Sequence, residues 1–397
     1  MGRGRVVVTG IGPLSPQAAG CEPFWRLFRG GLPNADPAAP GPAPVWRCGE
    51  PESRSAHCSP ALRQMHRLGR LAVAAAAFAL EDAELELADL DGDDVGVAFG
   101  TGYGCLAANL EYLEGIVARG SRLGNPVVFQ NTVPNAAAGY VAIAHGIRGP
   151  NATFSSGWIA GLEALDFSVQ QIFENQVHTM IVTSADHLCS PLIEGFANRG
   201  QISRDGVPRP LDRGRDGTVL SEGACALLLE ELGSARRRGA PIYAEVLGLG
   251  HSSDPGDDAS RALAAAVDQA LGEADVEPPQ IQAVFSGANG SLDGDLRESR
   301  GLWKALGGHA ARVPTTCPKS VLGETLGSGG TFAAAVASLA LSGGRVPATA
   351  HYREPDPECG LNVQTEASPR LRPETALVSL IGDDGGALAA VLQRYER

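Results

Sequence analysis

Short apolar runs alternate with Ala- and Gly-rich helical stretches along almost the whole chain, and this alternation narrows the fold more than any other feature. Strand-like runs lie at Arg5–Thr9 (RVVVT), Val95–Phe99 (VGVAF), Ala152–Ser155 and Thr179–Ser184 (TMIVTS). They recur at Cys225–Glu230, Ile242–Gly250, Ala283–Ser286, Thr375–Ile381 and Ala387–Gln393. Between them, Arg67–Leu85, Ile159–Phe173, Arg261–Glu273 and Gly329–Leu341 read as helices. Runs that are apolar throughout suit strands covered on both faces. Strand–helix alternation of this kind predicts an α/β protein with mainly parallel, buried sheets. The first strand is expected to end at a Gly10-Ile11-Gly12 turn. The pattern runs over 1–240 and restarts over 241–397, which predicts two structurally similar halves without a literal sequence repeat.

Where the alternation breaks, the chain reads as surface. Pro33–Pro44 holds too many prolines for a helix or a central strand. The 51 glycines and 44% apolar content fit close packing of helices on sheets and exclude a disordered chain. A net charge of −13 disfavours nucleic acid and membrane surfaces as partners, but leaves room for an acidic protein docking on a local basic patch. The longest strongly apolar stretch, Leu71–Leu80, is too short to span a bilayer. Residues 1–10 lead straight into a strand and do not read as a signal peptide. The cysteines (Cys21, Cys48, Cys58, Cys105, Cys189, Cys225, Cys317, Cys359) form no CxxC pair and no disulfide framework, so a reducing cytoplasm is the simplest home. The histidines show no close HxxxH or HxH spacing, so neither a metal nor a cofactor is expected.

Five segments, read together and in order, carry a resemblance: RVVVTGIGPLSP, VGVAFGTGYG, PNAAAGYVAIAHGIRGPNATFSS, RPLDRGRDGTVLSEGACALLLEE and PKSVLGETLGSGG. The set resembles the β-ketoacyl synthases of fatty-acid and polyketide assembly. That resemblance implies a thiolase-like fold, with two pseudo-duplicated halves in an α-β-α-β-α layered sandwich. It implies dimers formed through a strand near the nucleophile, and acyl chains delivered on an acyl carrier protein.

Decarboxylative condensation needs a thiolate to hold the acyl chain, and a helix N-terminus favours that anion. It also needs hydrogen-bond donors, two histidines in this family, to stabilise the enolate. The family's Cys follows GPN and its strand; here GPNATFSSGWIAG places Trp158 there, and indole is no nucleophile. The first His position, before the Gly294-Asp295 pair, holds Asn289. The second, in KSVLGE, holds Glu324, while Lys319 and Gly323 are retained. In the closing glycine-rich loop IGDDGG, Gly382 and Gly385 match but the gating Phe position carries Asp383. The pattern is similar to the chain length factors of bacterial type II polyketide systems, which pair with an active ketosynthase as a heterodimer. It departs from them in carrying Trp158 and Glu324, where they commonly carry Gln and Arg.

Each reading has a plainer rival. Trp158 either fills the acyl pocket or is an ordinary core aromatic. Ser155 and Ser156 suit a structural turn better than a substitute nucleophile, and Cys317 suits a small buried residue. Lys319 is expected to pair with Glu324, and Asn289-Gly290 to form a tight turn. The resemblance places Tyr112, Leu113 and Val128 near the dimer interface and the acyl tunnel; core packing is the alternative. Arg63, Arg67, Arg70 and the run Arg236–Arg238 either meet the acidic carrier or are solvated. Two functions follow: a non-catalytic partner subunit, or an enzyme with repurposed acid–base or acyl-transfer chemistry on Glu324, Asn289 and Lys319.

Overall fold

The computed structural model describes residues 4–30, 43–50, 63–254, 256, 258–367 and 371–396. All but the last two residues of the Pro33–Pro44 stretch, and Cys58, lie outside the described residues. The first half supplies β1 (Val6–Leu14), β2 (Val95–Gly100), β3 (Asn151–Phe154), β4 (Thr179–Asp186) and β5 (Gly223–Glu231). The second supplies β6 (Ala244–Ser253), β7 (Ala283–Ser286), β8 (Pro314–Thr316), β9 (Thr375–Ile381) and β10 (Gly386–Gln393). With the short edge strand Asn362–Val363 they hydrogen-bond in the order edge–β8–β7–β9–β10–β6–β1–β5–β4–β2–β3. The five strands of each half therefore repeat one order, with the first at the seam and the third farthest from it, and in the second half the short edge strand adds beyond the third.

The expectation of mainly parallel sheets needs correcting. Pairing is parallel at β2–β3, β2–β4, β7–β8 and β7–β9, but antiparallel at β4–β5, β5–β1, β9–β10, β10–β6 and β1–β6. A strand buried on both faces is apolar in either pairing, so its sequence does not reveal strand direction.

The helices make the layers. On the outer face of the first half lie α1 (Arg67–Asp82) and α3 (Ala136–His145), with α2 (Leu106–Arg119) beside them. Between the two halves of this strand order lie α4 (Ala160–Phe173) and α7 (Gly329–Gly343). Over the outer face of the second half lie α5 (Ala259–Ala274) and α6 (Leu292–Leu306). The result is the α-β-α-β-α sandwich of a thiolase-like fold. Among the described residues, Leu326–Gly343 has the length and apolarity to cross a membrane, but 89% of it is buried as the middle layer.

Gly10 and Gly12 prove not to be a turn: both lie inside β1. A Cβ at either would fall on a backbone carbonyl of α1, from Ala79 or Ala75. The second half repeats the device, since a Cβ on Gly248 or Gly250 of β6 would strike the Ala270 or Ala266 carbonyl of α5. Glycine in the strand and alanine in the helix together allow this close approach.

At the far end, β3 pairs on one side only and its residues are partly exposed. The first half also carries an apolar skin. Leu113 (56% exposed), Val117, Leu123, Val127, Phe129 and Val133 project from α2 and the segments that follow it.

Candidate functional site

Trp158 sits in the tight turn Gly157–Ile159 that opens α4. Gly157 takes φ +64°, a left-handed conformation that suits glycine. The half-buried indole stacks on Phe196 at 6.5 Å between ring centroids. Lys319 Nζ lies 5.5 Å from its ring centroid, within cation–π range. The indole Nε1 has no protein partner. Ser156 donates its hydroxyl hydrogen bond to Glu163, while Ser155 is exposed.

The positions singled out in the sequence converge. Glu324 is fully buried; its Oε2 accepts from Lys319 Nζ at 2.8 Å and from Asn289 Nδ2 at 2.7 Å. Its Oε1 accepts from the Leu326 backbone N–H at 2.8 Å. Asn289 Oδ1 accepts from the Ser291 N–H, which fixes the amide so that its NH2 faces the carboxylate. All these partners are donors, so they match an ionised Glu324. An amide, an ammonium and a carboxylate form one closed network.

Two buried carboxylates hold the surrounding loops: Asp186, which sequence reasoning missed, and Asp295, which it named only as part of the retained Gly294-Asp295 pair. Asp186, the last residue of β4, accepts from Thr101 Oγ1 and the N–H groups of Gly102, Tyr103 and Gly327. It thereby ties the glycine-rich turn of the first half to the loop after Glu324. Leu326 in that loop takes φ +56°, which costs a bulky residue of order 1 kcal/mol. Asp295 accepts from the N–H groups of Leu211, Asn289 and Gly290, and so sets the Asn289 turn. The sequence signal was an acid at the end of an all-apolar strand, and another in a helix's first turn.

A third carboxyl, Glu298, is buried against Ser286, Ser379 and the Gly287 N–H. Burial outweighs these donors and pushes Asp186 and Asp295 up to about 6 and Glu298 up to about 7. The folded state thus holds these protons more tightly than an unfolded chain, whose carboxyls titrate near 4. Stability from Glu298 is therefore complete below about pH 4 and is lost as pH rises through about 7. His145 and His187, pulled down to about 4 by burial, act in the opposite sense over the same range. The informative measurement is the difference between wild type and Glu298→Gln, in which the histidines cancel. Between about pH 5 and pH 8 the wild type should lose on the order of 2 kcal/mol relative to the variant; parallel pH profiles of urea midpoints would refute the assignment.

A cavity of about 360 Å³ opens beside Trp158. Asn289, Gly382 and Asp383 border it, with Arg199, Asp216 and Arg297. Lys319 and Glu324 are not among its lining residues, so the repurposed acid–base chemistry expected of Glu324 has no access to it. Asp383, near Gly157 at the mouth, is raised above the usual carboxylate range by partial burial, with Asp384 and Glu324 adding to the effect. Gly385 takes φ +89° in the same loop. Cys317 is completely buried, which pushes its thiol well above the ordinary range.

Of the expected docking cations, Arg67 is corrected: its guanidinium turns inward to the fully buried Glu222 (2.7 Å) and to Glu50 (2.9 Å). Glu222 also takes Arg47 and the Cys48 and Leu188 N–H groups. Arg70 donates to the Met65 carbonyl and lies 3.5 Å from Glu50, whereas Arg63 is exposed. Arg238 pairs with Glu230, and Arg236 donates to Tyr395. Tyr112 packs on Phe129 at 5.4 Å, Leu113 is exposed and Val128 is half-buried.

Comparison with known proteins matches this architecture to a family. The sequence model of the β-ketoacyl synthase N-terminal domain matches residues 3–235, and that of the C-terminal domain matches residues 243–353. The chain belongs to the β-ketoacyl synthase family. Among ketosynthase relatives, the tetracenomycin polyketide synthase ketoacyl synthase alpha subunit of Streptomyces glaucescens is 32% identical, covering 98% of this chain and 97% of that one. The 3-oxoacyl-[acyl-carrier-protein] synthase 2 of Synechocystis is 30% identical, covering 99% and 98%. Among solved ketosynthases, the ishigamide ketosynthase/chain length factor superposes with a TM-score of 0.92 at 28% identity, covering both chains fully. The AntDE:AntF complex, a type II acyl carrier protein with its ketosynthase bound to the hexaketide, gives 0.89 at 25% identity over 99% of this chain and 100% of that one.

Proposed function

We propose that this chain is the non-condensing subunit of a ketosynthase heterodimer, of the chain length factor type, working in polyketide or fatty-acyl elongation on an acyl carrier protein. One observation carries the reading: at the helix N-terminus where the family holds its thiolate, the side chain is the Trp158 indole, stacked on Phe196 and capped by Lys319. No acyl thioester can form on it. The positions of both family histidines are locked into the Lys319–Glu324–Asn289 network, where a charged carboxylate would repel a developing enolate.

The scaffold around these positions is intact, which supports a role in assembly rather than chemistry. The partner is an active ketosynthase that pairs with the open β3 edge and the apolar skin around Leu113 and Phe129, with Tyr112 and Val128 lining the tunnel it completes. Residues 1–240 and 241–397 are the two units of the duplication. Carrier docking on this chain falls to Arg63 and the outer side of Arg70, Arg67 being taken up by Glu222. Likeness to the ishigamide ketosynthase/chain length factor supports the same reading.

The test is intact-mass analysis after incubation with acyl carrier thioesters. The partner should gain the acyl mass and this chain none, and condensation should require both chains. An acyl adduct on the isolated chain would end the proposal.

A further inference from the structure

The cavity beside Trp158 remains open although the condensation chemistry is absent, and its wall carries an excess of negative charge. Five carboxyl side chains line it: Asp216, Asp293, Asp295, Glu298 and Asp383. Only two guanidinium groups, those of Arg199 and Arg297, stand against them. Asp295 and Glu298 are buried and already hold backbone or hydroxyl donors. With those two set aside, three carboxylates still face two cations. Asp293 and Asp383 are exposed, and neither has an ion pair among the described residues. Lys319, over the indole, adds no net charge, because Glu324 pairs with it at 2.8 Å.

Asp383 is the member best placed to act on what enters. A Cβ on Gly157 would lie 3.1 Å from its Oδ1, so this carboxylate borders the turn that carries Trp158. Tyr103, edge-on to Phe196 at 6.1 Å, senses the same sign of field. Burial raises its phenol most, and the charges of Asp383, Asp186 and Glu324 raise it further against the opposing Arg199. A cleft with low-dielectric walls focuses such a field and depletes ions of the same sign. We propose that Asp383, assisted by Asp216 and Asp293, makes this cavity exclude anions. An acyl group with a free carboxylate, as in a malonyl-type extender, is thereby turned away from Trp158, whereas a neutral group meets no such barrier. The purpose of the exclusion rests on the subunit role proposed above, since it leaves the extender to the partner, but the exclusion itself belongs to the single chain.

Fluorescence quenching of the full chain by itself tests the proposal. In a Trp303→Phe background the remaining indoles are Trp158 and the buried Trp25 and Trp46, each 4% exposed, so quenchers in solution report on Trp158. Iodide is the anionic probe and acrylamide the neutral one, at fixed ionic strength and about pH 8, where the wall carboxylates are ionised. Asp383→Asn should raise the ratio of iodide to acrylamide quenching constants about two- to threefold, the scale of one unit charge acting over several ångströms in water. Asp293→Asn should move the ratio in the same direction, and it decides the matter should Asp383→Asn not fold. Glu86→Gln, the same charge change on an exposed loop of the first half, should leave the ratio unchanged. Melting temperatures establish which variants fold. A ratio unmoved in folded Asp383→Asn, or raised equally by Glu86→Gln, would overturn the proposal. Neither a partner nor condensation enters the measurement, so the subunit role and the exclusion of anions fail separately.

Discussion

Replacing Glu324 with alanine is expected to cost about 3–5 kcal/mol of folding stability, the loss typical of stripping one partner from a buried ion pair. The reason is Lys319, which lies almost wholly buried with its ammonium 2.8 Å from the carboxylate. Without Glu324 that charge loses its ion-pair partner and keeps the face of Trp158 and the more distant Glu298, and the Asn289 amide and Leu326 N–H also lose their acceptor. The network as a whole need not be stabilising relative to an apolar core. The double variant Lys319→Met, Glu324→Leu should therefore recover much of the loss. Chemical denaturation of the wild type, both single variants and the double variant measures the coupling. A Glu324→Ala cost below about 1 kcal/mol, the scale of an exposed ion pair, would mean that the network is solvated rather than locked.

The second large effect concerns the proposed pairing with an active ketosynthase. Leu113→Asp combined with Phe129→Asp should weaken the heterodimer by at least about a hundredfold, because two desolvated carboxylates would be forced into an apolar contact. Both side chains are more than half exposed in the single chain, so the fold itself should melt at nearly the wild-type temperature. Analytical ultracentrifugation of the mixed subunits reads the outcome directly. Full-strength pairing in the double variant would move the interface elsewhere.

The architecture was legible because its evidence is local and repeated. Apolar runs announced the strands, and Ala-rich stretches announced α1, α4, α5 and α7. What escaped the sequence was settled between distant segments. Gly10 and Gly12 look like a turn until the carbonyls of α1 arrive beside them, and strand direction has no signature in a run buried on both sides. Arg67 looked like a surface cation because nothing nearby in sequence reveals Glu222, 155 residues away, as its partner. Trp158, Asn289 and Glu324 could be singled out from the sequence, and the structure brings them together around Lys319. Asp186 and Glu298 were not, because their importance lies in donors gathered from both halves or from several strands.

The open margin at β3 bears on how such a subunit is produced. Its unclaimed backbone groups, together with the apolar skin, would make a copy without the proposed partner a template for self-association and precipitation. A cell gains from synthesising the two subunits in matched amounts, and a laboratory preparation gains from co-expression. In the proposed heterodimer, the feature that recruits the companion is the same one that penalises its absence.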